Sequence, residues 1–157
     1  MGVVGGSDCA PPVARLAEAV GRHLGHAGAV VVCGGLGGVM EAAARGAREA
    51  GGLTVGILPG TRHADANPFV DIIVVTGFGE ARNALVARSA HALVALAGEH
   101  GTLSEIALAL KMGRPVVGLG AWQDVGGVVP AGTPEEAADR ALALAAETHG
   151  RPAGLGG

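Results

Sequence analysis

The chain has 157 residues, enough for one domain with one complete core. Hydrophobic residues make up 49% and charged residues 16%, the net charge is −3, and Lys and Arg form no run, so neither a nucleic-acid surface nor an anionic-membrane surface is expected. Aromatic residues are only 2%, with no Tyr, so the core must be built from Val, Leu, Ile and Ala, and there is no platform for stacking single-stranded nucleic acid.

The apolar start MGVVGGS is short and carries no basic residue, which predicts a first strand at Val3–Gly5 rather than a signal peptide. Gly2 is not read as a myristoylation site, because Asp8 and Cys9 follow. Pro11 and Pro12 open a helix predicted over Pro11–Leu24, where a missing N–H costs nothing. A strand at Ala29–Cys33 leads to a helix at Val39–Ala50, closed by Gly51–Gly52. Strands follow at Thr54–Leu58 and Ile72–Val75, separated by the Pro59–Pro68 loop. The predicted order continues with a helix at Glu80–Ser89, a strand at Ala92–Ala97, a helix at Thr102–Met112 capped by Gly113, and a strand at Pro115–Leu119. Val128–Val129 reads as a short edge strand, and Thr133 as the N-cap of a last helix, Pro134–Thr148.

This alternation predicts a single α/β domain over residues 1–149, a doubly wound parallel sheet of Rossmann-like type with helices on both faces. The glycine-rich tail 150–157 is expected to be disordered. No apolar run is long enough to span a bilayer, so no membrane partner is expected and a cytoplasmic location is the default. Cys9 and Cys33 read as reduced small hydrophobes, and no cysteine or histidine pair has zinc-ligand spacing, so no metal is expected. The helices carrying Arg82–Ser89 and Thr102–Met112 present Leu85, Val86, Ile106, Leu108 and Leu110 on more than one face, which predicts a homodimer or tetramer.

The glycines concentrate after predicted strands: Gly5 and Gly6, then Gly34, Gly35, Gly37 and Gly38, then Gly77 and Gly79, then Gly98 and Gly101. In a parallel sheet these turns share the carboxyl edge, where ligands bind. Glycine lets a backbone approach a ligand closely, and a helix N-terminus offers free N–H groups to an anion. With Ser7, the first two turns predict backbone contacts to a phosphorylated ligand. The segment Ala97-Gly-Glu-His-Gly-Thr-Leu-Ser-Glu105 is the sharpest of these turns. Thr102 can cap the helix and also donate its hydroxyl to a phosphate. Glu105, three residues on, either completes a capping box or projects beside the anion as a base. His100 stacks on a base, hydrogen-bonds a phosphate, or is an exposed loop residue without a role.

Arg82 and Asn83 stand at the start of a helix, where the dipole disfavours a cation. Arg82 therefore reads either as an anion fork or as a solvated partner of Glu80. Gly34–Gly38 is not the dinucleotide fingerprint, since no acidic ribose partner follows. Met40 reads as core, and Glu41 is open between helix-start charge and site residue. His23, His26 and His149 read as surface positions on helices, and His63 as a loop residue.

GVVGGS, GGLGGVMEAAARGA, the Arg82 helix and GTLSEIALALKMGRPVVGL together resemble the Lonely Guy family, often labelled lysine decarboxylase-like, and its relatives the molybdenum cofactor carrier proteins. The resemblance runs from about Gly2 to Leu119. Family hydrolases carry PGGxGTxxE and an arginine on the preceding helix, matched here by Glu105 and Arg82. The resemblance implies a nucleotide-binding protein that cleaves a nucleoside 5′-monophosphate to base and ribose 5-phosphate, with Arg82 and Glu105 catalytic and no cofactor required. Here Ala97 replaces the motif's proline and Glu99 its second glycine. Glu99 in place of that glycine, the Ala-Arg-Asn form of the Arg82 helix and Leu-Ser-Glu105 look more like the carrier branch, which implies the molybdenum cofactor, a pterin phosphate, as bound ligand without turnover.

Overall fold

The computed structural model describes residues 1–149; the tail lies outside the described residues. Among these, the strands in chain order are β1 (Gly2–Val4), β2 (Val31–Cys33), β3 (Thr54–Leu58), β4 (Ile72–Val75), β5 (Leu93–Ala95), β6 (Val116–Leu119) and β7 (Val128–Ala131). They form one sheet in the order β4-β3-β2-β1-β5-β6-β7, and every neighbouring pair is parallel. β1, β2, β5 and β6 are buried throughout, which is why they read as unbroken apolar runs rather than alternating ones.

The helices are α1 (Pro11–His26), α2 (Val39–Glu49), α3 (Asn83–Ser89), α4 (His100–Lys111) and α5 (Pro134–His149). One face of the sheet packs Val3, Val31 and Val94 against Val20, Leu24, Val39, Ala43 and Ala138, from α1, α2 and α5. The other packs Val4, Ile57 and Leu93 against Val86 and Ile106, from α3 and α4. The sheet is therefore doubly wound, as its alternating sequence requires. Strand order reverses between β1 and β5. Because all strands are parallel, their carboxyl ends share one edge, and the crevice opens there.

Several boundaries differ from the sequence expectation. The expected helix Glu80–Ser89 is two pieces, a 3₁₀ turn over Gly79–Arg82 followed by α3. A 3₁₀ turn winds tighter than an α-helix, and this one swings Arg82 inward. α4 begins at His100, two residues early, and β7 runs to Ala131 as a full edge strand. Thr133 does cap α5: the Glu136 N–H donates to its Oγ1 at 3.2 Å.

Val86 and Ile106, expected on an outward face, are fully buried, and Leu108 and Leu110 are half-buried against the same core. Leu85 on α3 stays 37% exposed and Leu103 on α4 36%, and further apolar exposure sits at the β4 edge, where Ile72 is 47% exposed and Val74 41%, with Phe78 63% exposed in the turn that follows. Ile72 pairs with Val55 and Val74 with Ile57, so all four share the face that carries α3 and α4. Among the described residues no helix is long and apolar enough to cross a membrane.

Candidate functional site

A cleft of about 470 Å³ lies over the carboxyl ends of β1 and β5. Gly5, Gly6, Ser7 and Asp8 form one wall, and Gly98, Glu99, Gly101, Thr102 and Glu105 form the other. Glu80, Arg82 and Asn83 close the end, with Leu36, Met40 and Pro59 beside them. The glycine turns after β1 and β5 thus meet across the crevice, as their sequence positions predict.

The β5 turn needs its glycine. A Cβ on Gly98 would collide with the Thr102 hydroxyl and lie 2.9 Å from the Gly6 amide nitrogen. The turn leads straight into α4, whose first backbone bond runs from the Leu103 N–H to the Glu99 carbonyl at 3.0 Å. The N–H groups of His100, Gly101 and Thr102 precede that ladder and point out of the helix end. No side chain caps them. Of the two alternatives for Thr102 and Glu105, the capping box does not form: both lie inside the helix and line the cleft, leaving the helix N-terminus open to an anion.

Arg82 and Glu105 form the buried floor, 7% and 6% exposed. Arg82 is not a solvated partner of Glu80. Its Nη1 donates to the Ile57 carbonyl at 2.8 Å, and its buried Nε has no acceptor. Burial lowers the guanidinium's pKa, and the nearby Glu105 opposes that shift. Glu105 makes no hydrogen bond or ion pair within the described residues, and burial pushes its carboxyl up to about 7 against the pull of Arg82. The two charges attract across the floor without closing a contact pair, so both remain available to a ligand. Asn83 is also buried. Its amide donates to Ser104 Oγ at 2.9 Å, and Ser104 Oγ donates to the Gly101 carbonyl at 2.7 Å, which ties α3 to the first turn of α4.

Other expected site residues lie outside the cleft lining. Gly34, Gly35, Gly37 and Gly38 serve it from behind. A Cβ on Gly34 would strike Arg82 Nη1 and lie 2.6 Å from Met40 Sδ, so this glycine makes room for the guanidinium. Gly38 (φ +61°) packs against the Gly6–Ser7 backbone, and the Val39 N–H donates to the Gly6 carbonyl at 3.0 Å. His100 is exposed and does not line the cleft, and neither does Glu41. Cys33 lies beneath the floor, its thiol pushed up to about 11 by burial, and so stays neutral.

Asp8, Leu36, Met40, Pro59 and Glu80 line the cleft without having been singled out as site residues. Asp8 had a signal, two residues beyond the Gly6 turn. Met40 and Leu36 had none, since an apolar side chain beside a ligand reads like core. Asp8, Glu80 and Glu99 are exposed at the rim, where water screens their charge. Among the described residues no group of three or more His, Cys, Asp or Glu side chains can hold a metal ion.

Comparison with known proteins places this cleft in a family. An uncharacterised protein of Archaeoglobus fulgidus is 44% identical over 137 residues, covering 87% of this chain and 90% of that one. The molybdenum cofactor binding protein of Rippkaea orientalis superposes with a TM-score of 0.84 at 36% identity, over 91% of this chain and 94% of that one. The molybdenum cofactor carrier protein of Chlamydomonas reinhardtii superposes with a TM-score of 0.84 at 38% identity, over 92% and 96%. Residues 1–148, which include every strand, the crevice and both floor charges, match the SLOG cluster4 family, and the chain belongs to it.

Proposed function

We propose that the chain binds a phosphate-bearing, pterin-type small molecule of the molybdenum cofactor class in the β1/β5 cleft and carries it without turnover. The observation that supports this most is the cleft itself: an uncapped helix N-terminus facing a glycine turn, in a fold shared over nine-tenths of the chain with two proteins that bind or carry that cofactor. The donor set fits such a ligand. The backbone N–H groups of Gly101 and Thr102, the Thr102 hydroxyl and the Gly98 turn take the phosphate. Arg82 adds a charged fork at the floor. Asp8 and Glu99 supply acceptors for the N–H edge of an amino-pyrimidinone ring. To test the reading, cofactor released anaerobically from a molybdoenzyme is mixed with the protein and passed through gel filtration. The pterin, read by fluorescence after oxidation, is expected to saturate in the protein peak. Pterin confined to the small-molecule fractions overturns the carrier reading.

Arg82→Ala is expected to weaken binding of the phosphorylated ligand by about ten- to a hundredfold, the range for a charged hydrogen bond of roughly 1.5–3 kcal/mol. Calorimetry with phosphorylated and dephosphorylated ligand checks this. An equal loss for both forms shows that Arg82 holds the fold rather than the phosphate.

A second reading, hydrolysis of a nucleoside 5′-monophosphate, is favoured by one observation: a buried carboxyl raised to about 7 beside Arg82 in the same cleft. Such a group can steady the oxocarbenium-like state and activate water. A panel of nucleoside monophosphates, followed for released base, tests it. Release abolished by Glu105→Gln, with binding retained, supports hydrolysis, and no release from any substrate removes it.

The chain acts as a homo-oligomer in this proposal, joined through the apolar β4 edge. Light scattering at micromolar concentration is expected to show a dimer or tetramer. Val74→Lys, which buries an unpaired charge, is expected to weaken self-association by about tenfold or more. A monomeric wild type overturns this.

A further inference from the structure

The β1/β5 ladder changes register at the mouth of the cleft. The Leu96 N–H donates to the Val4 carbonyl at 2.9 Å. A regular parallel ladder continues with the Gly6 N–H donating to the Leu96 carbonyl. Here the Gly6 N–H goes one residue further, to the Ala97 carbonyl at 3.0 Å. The offset leaves the buried Leu96 carbonyl without its ladder donor and carries Gly98 forward into the cleft wall. A buried carbonyl needs a donor, and it finds one from outside the ladder. Trp122 Nε1–H donates to Leu96 O at 2.7 Å, from the loop that follows β6.

That loop is shaped for the purpose. Trp122 has φ +67°, the one non-glycine residue with positive φ among the described residues. Bulky side chains rarely adopt this conformation, and it persists where surrounding contacts over-determine it. The half-buried indole packs against the core on the α3/α4 face, so both ring and backbone are fixed.

We infer that Trp122 is a positioning residue for the anion turn: its indole N–H occupies the carbonyl released by the offset and so holds Gly98–Thr102 in its ligand-receiving place. The inference rests on the reading of that turn as a phosphate site. Without the donor, the Leu96 carbonyl regains its partner by recapturing the Gly6 N–H, which draws the turn back toward β1. By reciprocity of linkage, a hook that aids binding is itself tightened by ligand.

The probe is ribose 5-phosphate, which carries the phosphate and has no glycosidic base to lose. Trp122→Phe keeps an aromatic ring and removes the donor. Calorimetry is expected to show binding to Trp122→Phe weakened about fivefold or more, the equivalent of one lost hydrogen bond. A merely structural tryptophan lowers the melting temperature and leaves the affinity of the folded protein unchanged, and that outcome overturns the inference. The wild type supplies a second measurement that needs no variant. Trp122 is the only Trp and the chain has no Tyr, so intrinsic emission reports this indole alone. Emission is expected to change as ribose 5-phosphate saturates, and unchanged emission while calorimetry registers binding overturns the inference even if Trp122→Phe fails to fold. Absence of calorimetric binding to the wild type is a different failure: it overturns the phosphate-site reading and takes this inference with it.

Discussion

Glu105→Gln is expected to stabilise the protein at pH 8 and to leave its stability near that of the wild type at pH 4. The Glu105 carboxyl titrates at about 7 in the fold instead of 4.5, because burial penalises its charged form more than Arg82 rewards it. Below 4.5 the folded and unfolded chains are both protonated there, and the group contributes nothing. Between 4.5 and 7 the unfolded chain releases the proton while the folded chain keeps it, so stability falls as pH rises. Above 7 the penalty is constant, at about 3 kcal/mol on an order-of-magnitude basis. Gln cannot ionise and keeps nearly the same shape, so it removes the penalty. For a chain of this size that corresponds to a melting temperature about 6–12 °C higher at pH 8. Equal melting temperatures at pH 8 would show that Glu105 is better solvated than its burial indicates. A group that destabilises the empty fold and lines the cleft is the kind of local conflict expected at a working site.

Gly46→Ala and Gly21→Ala are each expected to destabilise the protein by about 2 kcal/mol or more, although alanine is the better helix former. α1 and α2 cross with their backbones in contact. A Cβ on Gly46 would strike the Glu18 carbonyl oxygen and lie 2.8 Å from its carbon and 3.0 Å from the Arg22 nitrogen. A Cβ on Gly21 would strike the Ala43 carbonyl in the reciprocal way. Propensity favours alanine by about 1 kcal/mol per site. The collisions are with backbone, so no rotamer relieves them, and the helices must separate. Separation loosens the packing of Ala17, Val20, Ala43 and Ala47, all fully buried. Overpacking of this kind typically costs about 1–3 kcal/mol, and more where nothing can move aside. The double variant is expected to lose less than the sum, because one separation accommodates both methyl groups. Urea denaturation checks both points, and a gain in stability for either single variant would show that the helices have room to spare.

The sequence by itself determined the architecture. β-branched runs of three to five residues, separated by Ala-rich stretches of helical length, leave little but a doubly wound parallel sheet, because each strand must be covered on both faces. Parallel strands then place every post-strand glycine turn on one edge, so the meeting of Gly6 with Gly98 was legible before any coordinates. Arg82 was legible too, as a cation at a helix start where local electrostatics gives no reason for one. What the tertiary structure alone decided were relations between segments far apart in the chain. Gly34 looks like a ligand turn in sequence, yet it clears space for an arginine 48 residues later (82 − 34). Thr102 and Glu105 have capping-box spacing, yet α4 begins two residues earlier and turns both into the cleft. Met40, Leu36 and Pro59 became cleft walls through strand order, and Trp122 was tied to Leu96 through a one-residue offset in the β1/β5 ladder. The physical reason is range. Periodicity and capping express interactions within about four residues, whereas a cleft is defined by which strands become neighbours and in what register, and that is set by the packing of the whole core.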